Sequence, residues 1–190
     1  MIRAYSPSHI TGFFEIFPSK NPLRMGSRGC GIVLEKGCIT EVEISDDFCI
    51  KINGIEEDAP TTAYVVSEMA KRPVTISSEF RVPVGGGFGA SGAGALGTAI
   101  ALGSLLDKSM PLESSAGYAH RAEVINRTGL GDVLAQTVGG VEIRTHPGGP
   151  GVGRIVRLLP PDGMRVVLAG RPGIETKSVL SDPNQRSRIN

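Results

Sequence analysis

The stretch PVGGGFGASGAG, residues 83–94, decides the fold of this chain. Residues 74–82 before it have the partial alternation of a strand, and residues 92–106 form an uncharged run that predicts a buried helix. A strand, a glycine-rich loop and a helix in this order place backbone N–H groups at a helix N-terminus, where the helix dipole favours an anion. The natural ligand is a phosphate, with a glycine-rich connection that permits close helix packing as the structural alternative.

The glycine spacing within this loop can be compared with the sequence patterns of known phosphate-binding sites. The Walker A pattern GxxxxGK[ST] is absent from the sequence. Gly87, Gly89 and Gly92 match the dinucleotide pattern GxGxxG, and Asp107 follows Gly87 by 20 residues. In a dinucleotide fold, however, that acidic residue ends a strand, whereas Asp107 ends a predicted helix. An NAD-binding domain is therefore an alternative with a weak match.

A second segment, AHRAEVINRTGLGD at residues 119–132, carries candidate catalytic groups. His120 and Glu123 are three residues apart on a predicted helix and so share a face. Asp132 follows a glycine turn. One carboxylate near Mg²⁺ and another near the attacking hydroxyl are what phosphoryl transfer requires. The alternatives are a solvated pair of Glu123 with Arg127, and Asp132 as a helix N-cap.

The other segments predict a mixed α/β chain. Strands are expected at residues 2–4, 9–16, 29–34, 39–44, 49–52, 141–145, 155–158 and 165–168. Helices are expected at residues 60–70, at 111–126 with Ser109 as N-cap and Pro111 just inside the start, at 132–137 and near Glu175. The end, SDPNQRSRIN, has the character of the opening of another helix, so we expect the chain to be part of a longer protein.

Composition excludes several partners. The 20 basic and 19 acidic residues are scattered, so no nucleic-acid partner is expected. Residues 84–106 lack charge and are long enough to span a bilayer, but their first half is mostly Gly, Ala and Ser, so we expect no membrane partner. Three thiols without a CxxC pair, at Cys30, Cys38 and Cys49, and an N-terminus without an apolar signal core indicate a cytoplasmic protein.

These motifs resemble those of the GHMP kinase superfamily. The phosphate-loop pattern P-x-x-x-G-[LF]-G-x-S-x-A is filled by Pro83, Gly87, Phe88, Gly89, Ser91 and Ala93. The N-terminal pattern APAKxxLxGEH corresponds to SPSHITGFFEI at residues 6–16, with His9 where a lysine is common. Within the superfamily, residues 21–34, 83–97, 119–144 and 173–183 are similar to the archaeal pantoate kinases, and the resemblance covers essentially the whole chain.

The resemblance implies the fold and the nucleotide site. It implies an α/β fold, with a GHMP-kinase-like N-terminal ATP-binding domain over residues 1–160 and the beginning of a second, C-terminal α/β domain over 161–190. The loop residues that it assigns to the ATP phosphates are Pro83, Gly85, Gly86, Gly87, Phe88, Gly89, Ala90, Ser91 and Gly92. It also implies that Ser91 and Glu123 hold Mg²⁺ and that Asp132 is the catalytic aspartate.

The resemblance also implies the substrate: pantoate, phosphorylated on its 4-hydroxyl on the way to coenzyme A. Arg144 is expected to bind the carboxylate, and the other implied substrate contacts are Ser27, His120, Thr176 and His9. From the residues alone, structural roles are favoured instead: Arg144 as a strand-edge charge, His120 as a core histidine, Ser27 as a turn cap and Thr176 as a helix residue. Since the family is often dimeric, a homodimer is the implied assembly.

Two alternatives stay open beside this reaction. One is a GHMP kinase for another small alcohol, such as homoserine or mevalonate. The other is a non-catalytic nucleotide-binding fragment, because the third glycine-rich motif of the superfamily does not occur after residue 153.

Overall fold

A computed structural model describes residues 1–106, 110–168 and 189. The elements within them, in chain order, are β1 (Ile2–Phe17), β2 (Gly26–Ile44), β3 (Cys49–Ile52), β4 (Ile55–Glu56), α1 (Pro60–Met69), β5 (Val74–Phe80), α2 (Ala90–Leu106), α3 (Leu112–Asn126), α4 (Asp132–Val138), β6 (Val141–His146) and β7 (Arg154–Leu158). The mixed α/β class predicted from the sequence is confirmed.

The long strand β2 organises the sheet. One side of β2 pairs with β1 in antiparallel fashion along most of its length. On its other side, residues 38–44 pair with β5 and residues 29–32 pair with β6. The resulting order is β4-β3-β5-β2-β6-β7, with β1 beside β2. The first strand, β1, and the late strand β6 therefore lie on opposite sides of β2, with only this one strand between them.

The first two strands are longer than the sequence pattern predicts. Residues 2–4 and 9–16 are one strand, and so are 29–34 and 39–44. Register shifts at Pro7/Ser8 and Thr11/Phe13 mark where β1 is irregular. A bulge inserts a residue and bends the strand without ending it, so polar and glycine positions that suggested breaks lie inside continuous strands.

The apolar helix α2 packs against β1, β2 and the helices α1 and α3. A Cβ on Gly97 would lie 2.6 Å from Thr40 Oγ1 on β2. Only a glycine at this position lets the helix approach the sheet so closely. The core around it includes Val42, Ile76 and Leu96. The burial of α2 therefore holds its N-terminus, and the glycine loop before it, in a fixed place.

Several local predictions need correction. Helix α2 begins at Ala90, two residues before the predicted start, and Pro111 lies at the N-cap of α3 and not inside it. The strand predicted at 165–168 is wrong: within the described part of the chain these residues pair with no strand, and Val167 is 96% exposed. An apolar run forms a strand only where a neighbour completes its hydrogen bonds. The expectations at Asp107, Ser109, Glu175 and Thr176 lie outside the described residues.

The uncharged stretch at residues 84–106 forms the glycine-rich loop and helix α2. In the described part of the chain, no helix combines the length and the apolar character that crossing a membrane requires. Most of α2, including Leu96 and Leu102, is instead buried within the protein.

Candidate active site

The glycine-rich loop between β5 and α2 has the backbone conformations that only glycine adopts readily. Gly85, Gly87 and Gly89 have φ angles of 77°, 79° and 60°. Among the described residues, a Cβ on Gly85 or Gly87 would meet no atom within 4 Å. These two glycines are therefore required by the path of the backbone and not by close packing of the helix.

The end of the loop is held from three sides. The N–H of His9 donates to the Phe88 carbonyl over 3.1 Å, and the Ala93 N–H donates to the Gly89 carbonyl over 3.0 Å. The Gln136 side chain on α4 donates to the same Gly89 carbonyl over 2.9 Å. Strand β1 and helices α2 and α4 thus fix the loop where it enters the helix.

The first residues of α2 lie directly beyond this anchored point. The N–H groups of Ala90, Ser91 and Gly92 have no intrahelical acceptor because they belong to the first helical turn. That turn contains no acidic residue. The positive end of the helix dipole suits an anionic ligand, as the sequence predicts.

A cavity of about 640 Å³ joins the loop to the candidate catalytic aspartate. The loop contributes one wall, and the turn at residues 128–131 together with Asp132 contributes another. Ser27 also lines it, and residues 57–62 line its far end. The two motifs that the sequence singled out for phosphate binding and for catalysis therefore face one space.

Asp132 is the first residue of α4, and Gly131 is the N-cap. The N-cap alternative for Asp132 is therefore wrong. Its side chain is 20% exposed, and its Oδ1 lies 2.6 Å from His9 Nδ1. Burial acts to raise the pKa of Asp132, but the hydrogen bond and charge of His9, with Arg144, outweigh it and hold that pKa below its usual value. Asp132 is thus an ionised carboxylate at neutral pH.

Behind Asp132 lies a buried row of charged groups. His9 Nε2 is 3.1 Å from Glu142 Oε1, and Arg144 Nη1 donates to the same oxygen. Burial acts to lower the pKa of His9, but the hydrogen bonds to Asp132 and Glu142 outweigh it and raise the pKa overall. The row Asp132–His9–Glu142–Arg144 alternates in charge, so with His9 protonated its formal charges cancel.

Glu123 on α3 is 1% exposed, which excludes the solvated pair with Arg127 as its role. Thr128 Oγ1 donates to its Oε1 over 2.7 Å. Burial, followed by repulsion from Asp132, raises its pKa to about 7, against the opposing hydrogen bonds of Thr128 and Ser91. The fold therefore keeps the pKa of Glu123 close to neutral pH.

The unused oxygen of Glu123 fits a cation. Among the described residues, Glu123 Oε2 is buried without a hydrogen-bond partner. A Cβ on Gly129 would collide with this oxygen and would lie 2.8 Å from Asp132 Oδ2, so the two carboxylates converge there. Residues 1–106 and 110–168 contain no cluster of three or more His, Cys, Asp or Glu that could hold a metal. Mg²⁺, which needs one or two protein carboxylates beside phosphates and water, suits so small a set.

Arg144 and Ser27 meet at Gly131. A Cβ on Gly131 would lie 2.6 Å from both Arg144 Nε and Ser27 Oγ. Arg144 is 2% exposed on β6, which lies between β2 and β7, so the strand-edge alternative is wrong. Its Nε is buried without a partner in the part of the chain that the structure describes. Ser27 lines the cavity and Arg144 lies behind it.

His120 and His9 lie away from the cavity lining. His120 Nε2 is 3.0 Å from the Met25 carbonyl, and burial lowers the pKa of His120 against the opposing backbone hydrogen bonds. This is the environment of a core histidine. The substrate contacts of His120 and His9 stay predictions, and Thr176 lies outside the described residues.

Sequence reasoning missed three residues of this site: Glu142, Gln136 and Thr128. Signals for two of them were present. Glu142 is two residues before Arg144 on a predicted strand and so shares its face, and Gln136 is four after Asp132 on a predicted helix. Thr128 lies in the glycine turn, where no periodicity applies.

Comparison with known proteins identifies a family and several related sequences. Residues 58–140 match the family described as GHMP kinases N terminal domain. The pantoate kinase of Thermococcus kodakarensis is 38% identical over 95% of this chain and 63% of its own length. That of Methanocaldococcus jannaschii is 33% identical over 98% of this chain and 68% of its own length. The chain thus spans about two thirds of these relatives.

Solved structures share the fold. One described as "Phosphotransferase related to CoA biosynthesis pathway" superposes with a TM-score of 0.78 at 38% identity, over 85% of this chain and 58% of the other. A homoserine kinase from Cytophaga hutchinsonii, at 15% identity, superposes with a TM-score of 0.60 over 83% of this chain and 51% of the other. The chain therefore belongs to the GHMP kinases and, within them, to the pantoate kinase family.

Proposed function

We propose that this chain carries the site for ATP-dependent phosphorylation of the 4-hydroxyl of pantoate, giving 4-phosphopantoate for coenzyme A biosynthesis. The observation that carries the proposal is that an ionised Asp132 and the anion-binding loop face one cavity. The 38% identity to a pantoate kinase supports the choice of substrate.

The chemistry needs little covalent participation by the protein. The oxygen of the 4-hydroxyl bonds to the γ-phosphorus of ATP, the bond from that phosphorus to the ADP oxygen breaks, and the hydroxyl proton leaves toward Asp132. Loop N–H groups hold the phosphates. Because its pKa is low, Asp132 acts mainly by accepting the hydroxyl's hydrogen bond and orienting it.

Ser91 and Glu123 are the residues that would hold Mg²⁺. Bound there, the ion neutralises negative charge on the phosphates. The buried, unpartnered Oε2 of Glu123 and the position of Ser91 in the first turn of α2 support this assignment.

Arg144 and Ser27 are proposed to bind the carboxylate of pantoate, since a guanidinium matches a carboxylate in shape and charge. The free Nε of Arg144 beside Gly131 supports this. We also propose His120, His9 and Thr176 as substrate contacts, residues 1–160 and 161–190 as the two domain portions, and a homodimer as the assembly.

The test is ADP release by the purified chain with Mg-ATP, in parallel with pantoate, homoserine, mevalonate and no acceptor. Pantoate-dependent release supports the proposal. Release with homoserine or mevalonate in preference to pantoate reassigns the chain to another GHMP activity. No release from a folded sample that binds ATP contradicts activity of this chain and favours a nucleotide-binding fragment.

A further inference from the structure

The contact between His9 and Glu142 crosses an intervening strand. His9 lies on β1 and Glu142 on β6, with β2 between them. Neighbouring strands are about 4.8 Å apart, so side chains two strands apart meet only above a residue that leaves the space open. That residue is Gly31, which is in register with Glu142. A Cβ on Gly31 would collide with His9 Nε2 and lie 2.9 Å from Glu142 Oε1.

Glu142 joins the two cationic groups of the buried row. Its side chain is fully buried, and its Oε1 accepts from Arg144 and lies 3.1 Å from His9 Nε2. Removing one partner from such a row leaves an uncompensated buried charge, which is strongly destabilising. Glu142 therefore favours the protonated form of His9 and orients both of its neighbours.

The ring of His9 has a carboxylate on each side. Its Nδ1 faces Asp132 and its Nε2 faces Glu142, so a ring that satisfies both acceptors carries a proton on each nitrogen. That ring donates to Oδ1 of Asp132. The other oxygen, Oδ2, lies on the side of Gly129, which lines the cavity.

We propose that Glu142 is a positioning residue: it holds His9 as a doubly protonated donor to Asp132 Oδ1, and so turns Oδ2 of Asp132 toward the acceptor hydroxyl. This inference rests on the proposed function for its kinetic consequence only. The state of the His9 ring can be measured whether or not the chain is active.

The first experiment is an NMR titration of the histidine ring nitrogens in the full chain. The resonance of His9 is assigned by its loss in His9→Gln. We expect both nitrogens of His9 to be protonated at neutral pH, and Glu142→Gln to lower the measured pKa of His9 by roughly 1–3, the effect of losing a nearby opposite charge. The other charged groups at the ring, Asp132 and Arg144, are unchanged in this variant.

The matched control is Glu41→Gln, which removes a carboxylate from the partly exposed pair with Arg3 on the same sheet. It is expected to leave the His9 titration unchanged. An unshifted His9 in folded Glu142→Gln overturns the proposal. If that variant does not fold, the wild type decides: a His9 ring that is singly protonated at neutral pH overturns the proposal, and a doubly protonated ring supports it.

The second experiment is a double-mutant cycle in the ADP-release assay. Glu142→Gln is expected to lower kcat roughly 10²-fold, the cost of a small misplacement of a catalytic group, with little change in KM for ATP. Adding it to His9→Gln should cost much less, because the effect passes through His9. Additive losses overturn the coupling. If the proposed function is wrong, the wild type will not phosphorylate pantoate. The NMR titration of His9 still tests the role of Glu142 in that case.

Discussion

The two walls of the cavity differ in the chemical groups that they present to a ligand. The loop at residues 83–89 presents backbone, with two exposed glycines, Gly85 and Gly87, in left-handed conformations. The facing wall presents the carboxylate of Asp132, whose pKa is held low by the buried His9, and the buried Glu123, whose pKa is raised by burial, lies behind it. A backbone site needs unusual dihedral angles, whereas a carboxylate site needs compensation for buried charge.

The two walls also differ in how far apart along the chain their residues lie. The loop is one contiguous stretch, and its geometry follows from its own glycines. The facing wall joins His9 to Asp132, which are 123 residues apart. A change in the loop should therefore act on nucleotide binding, and a change in the facing wall should act on turnover, on substrate choice and on the pH dependence of stability.

The largest expected effect is at Asp132. Asp132→Asn removes the charge that orients the hydroxyl, so kcat should fall by roughly 10²- to 10⁴-fold while ATP affinity changes little. Steady-state ADP release and ATP calorimetry measure the two quantities. Asp46→Asn, at an exposed turn, is the matched control. Near-normal turnover of the Asp132 variant would contradict the expectation that the facing wall controls turnover.

Glu123 tests the cost of a buried carboxylate. With its pKa raised from 4.5 to about 7, the folded state loses stability as the pH rises through this window. Glu123→Gln should therefore be more stable than wild type by about 3 kcal/mol at pH 8, and by about 1 kcal/mol or less at pH 5. Urea unfolding at both pH values measures this.

Glu68→Gln, on the exposed side of α1, is the control for the Glu123 variant and should show no such difference. A Glu123 variant that is less stable than wild type at pH 8 would show that this carboxylate stabilises the fold, contrary to its expected cost.

Arg144, which lies behind Ser27 in the cavity lining, tests substrate recognition. Arg144→Lys keeps the positive charge beside Glu142 but loses the Nε donor next to Gly131. KM for pantoate should rise roughly 10- to 100-fold, the value of a hydrogen bond to a charged group. KM for the pantoate amide, which lacks the carboxylate, should change little. Arg154→Lys on β7 is the control, and an equal loss with both substrates would indicate a structural role only.

The smallest effect is expected in the loop. Gly87→Ala places a Cβ on a residue with φ of 79°, which strains the backbone by about 1–2 kcal/mol. KM for ATP should rise about tenfold with kcat less affected. Gly163→Ala carries the same strain at φ of 73°, in open space away from the cavity, and should leave KM unchanged. A fall in kcat alone would show that the loop acts in turnover and not in binding.

Local pattern predicted much of the fold. Helices α1, α3 and α4 and strands β3 and β6 lie where periodicity and turn residues place them, because each signal lies inside the element itself. The strand expected at 165–168 failed because strand formation depends on a partner. The continuity of β1 and β2 was missed because bulges, which sequence patterns do not separate from breaks, interrupt their alternation.

By itself, the sequence determined the glycine-rich loop, the buried helix behind it and the candidate residues Asp132 and Glu123, since glycine spacing and helical periodicity are properties of contiguous residues. Only the tertiary structure decided the charge state of those residues. The row from Asp132 through His9 and Glu142 to Arg144 exists because β2 brings β1 and β6 together over Gly31. Electrostatic interactions depend on separation in space and on burial, and neither is encoded in the spacing of residues along the chain.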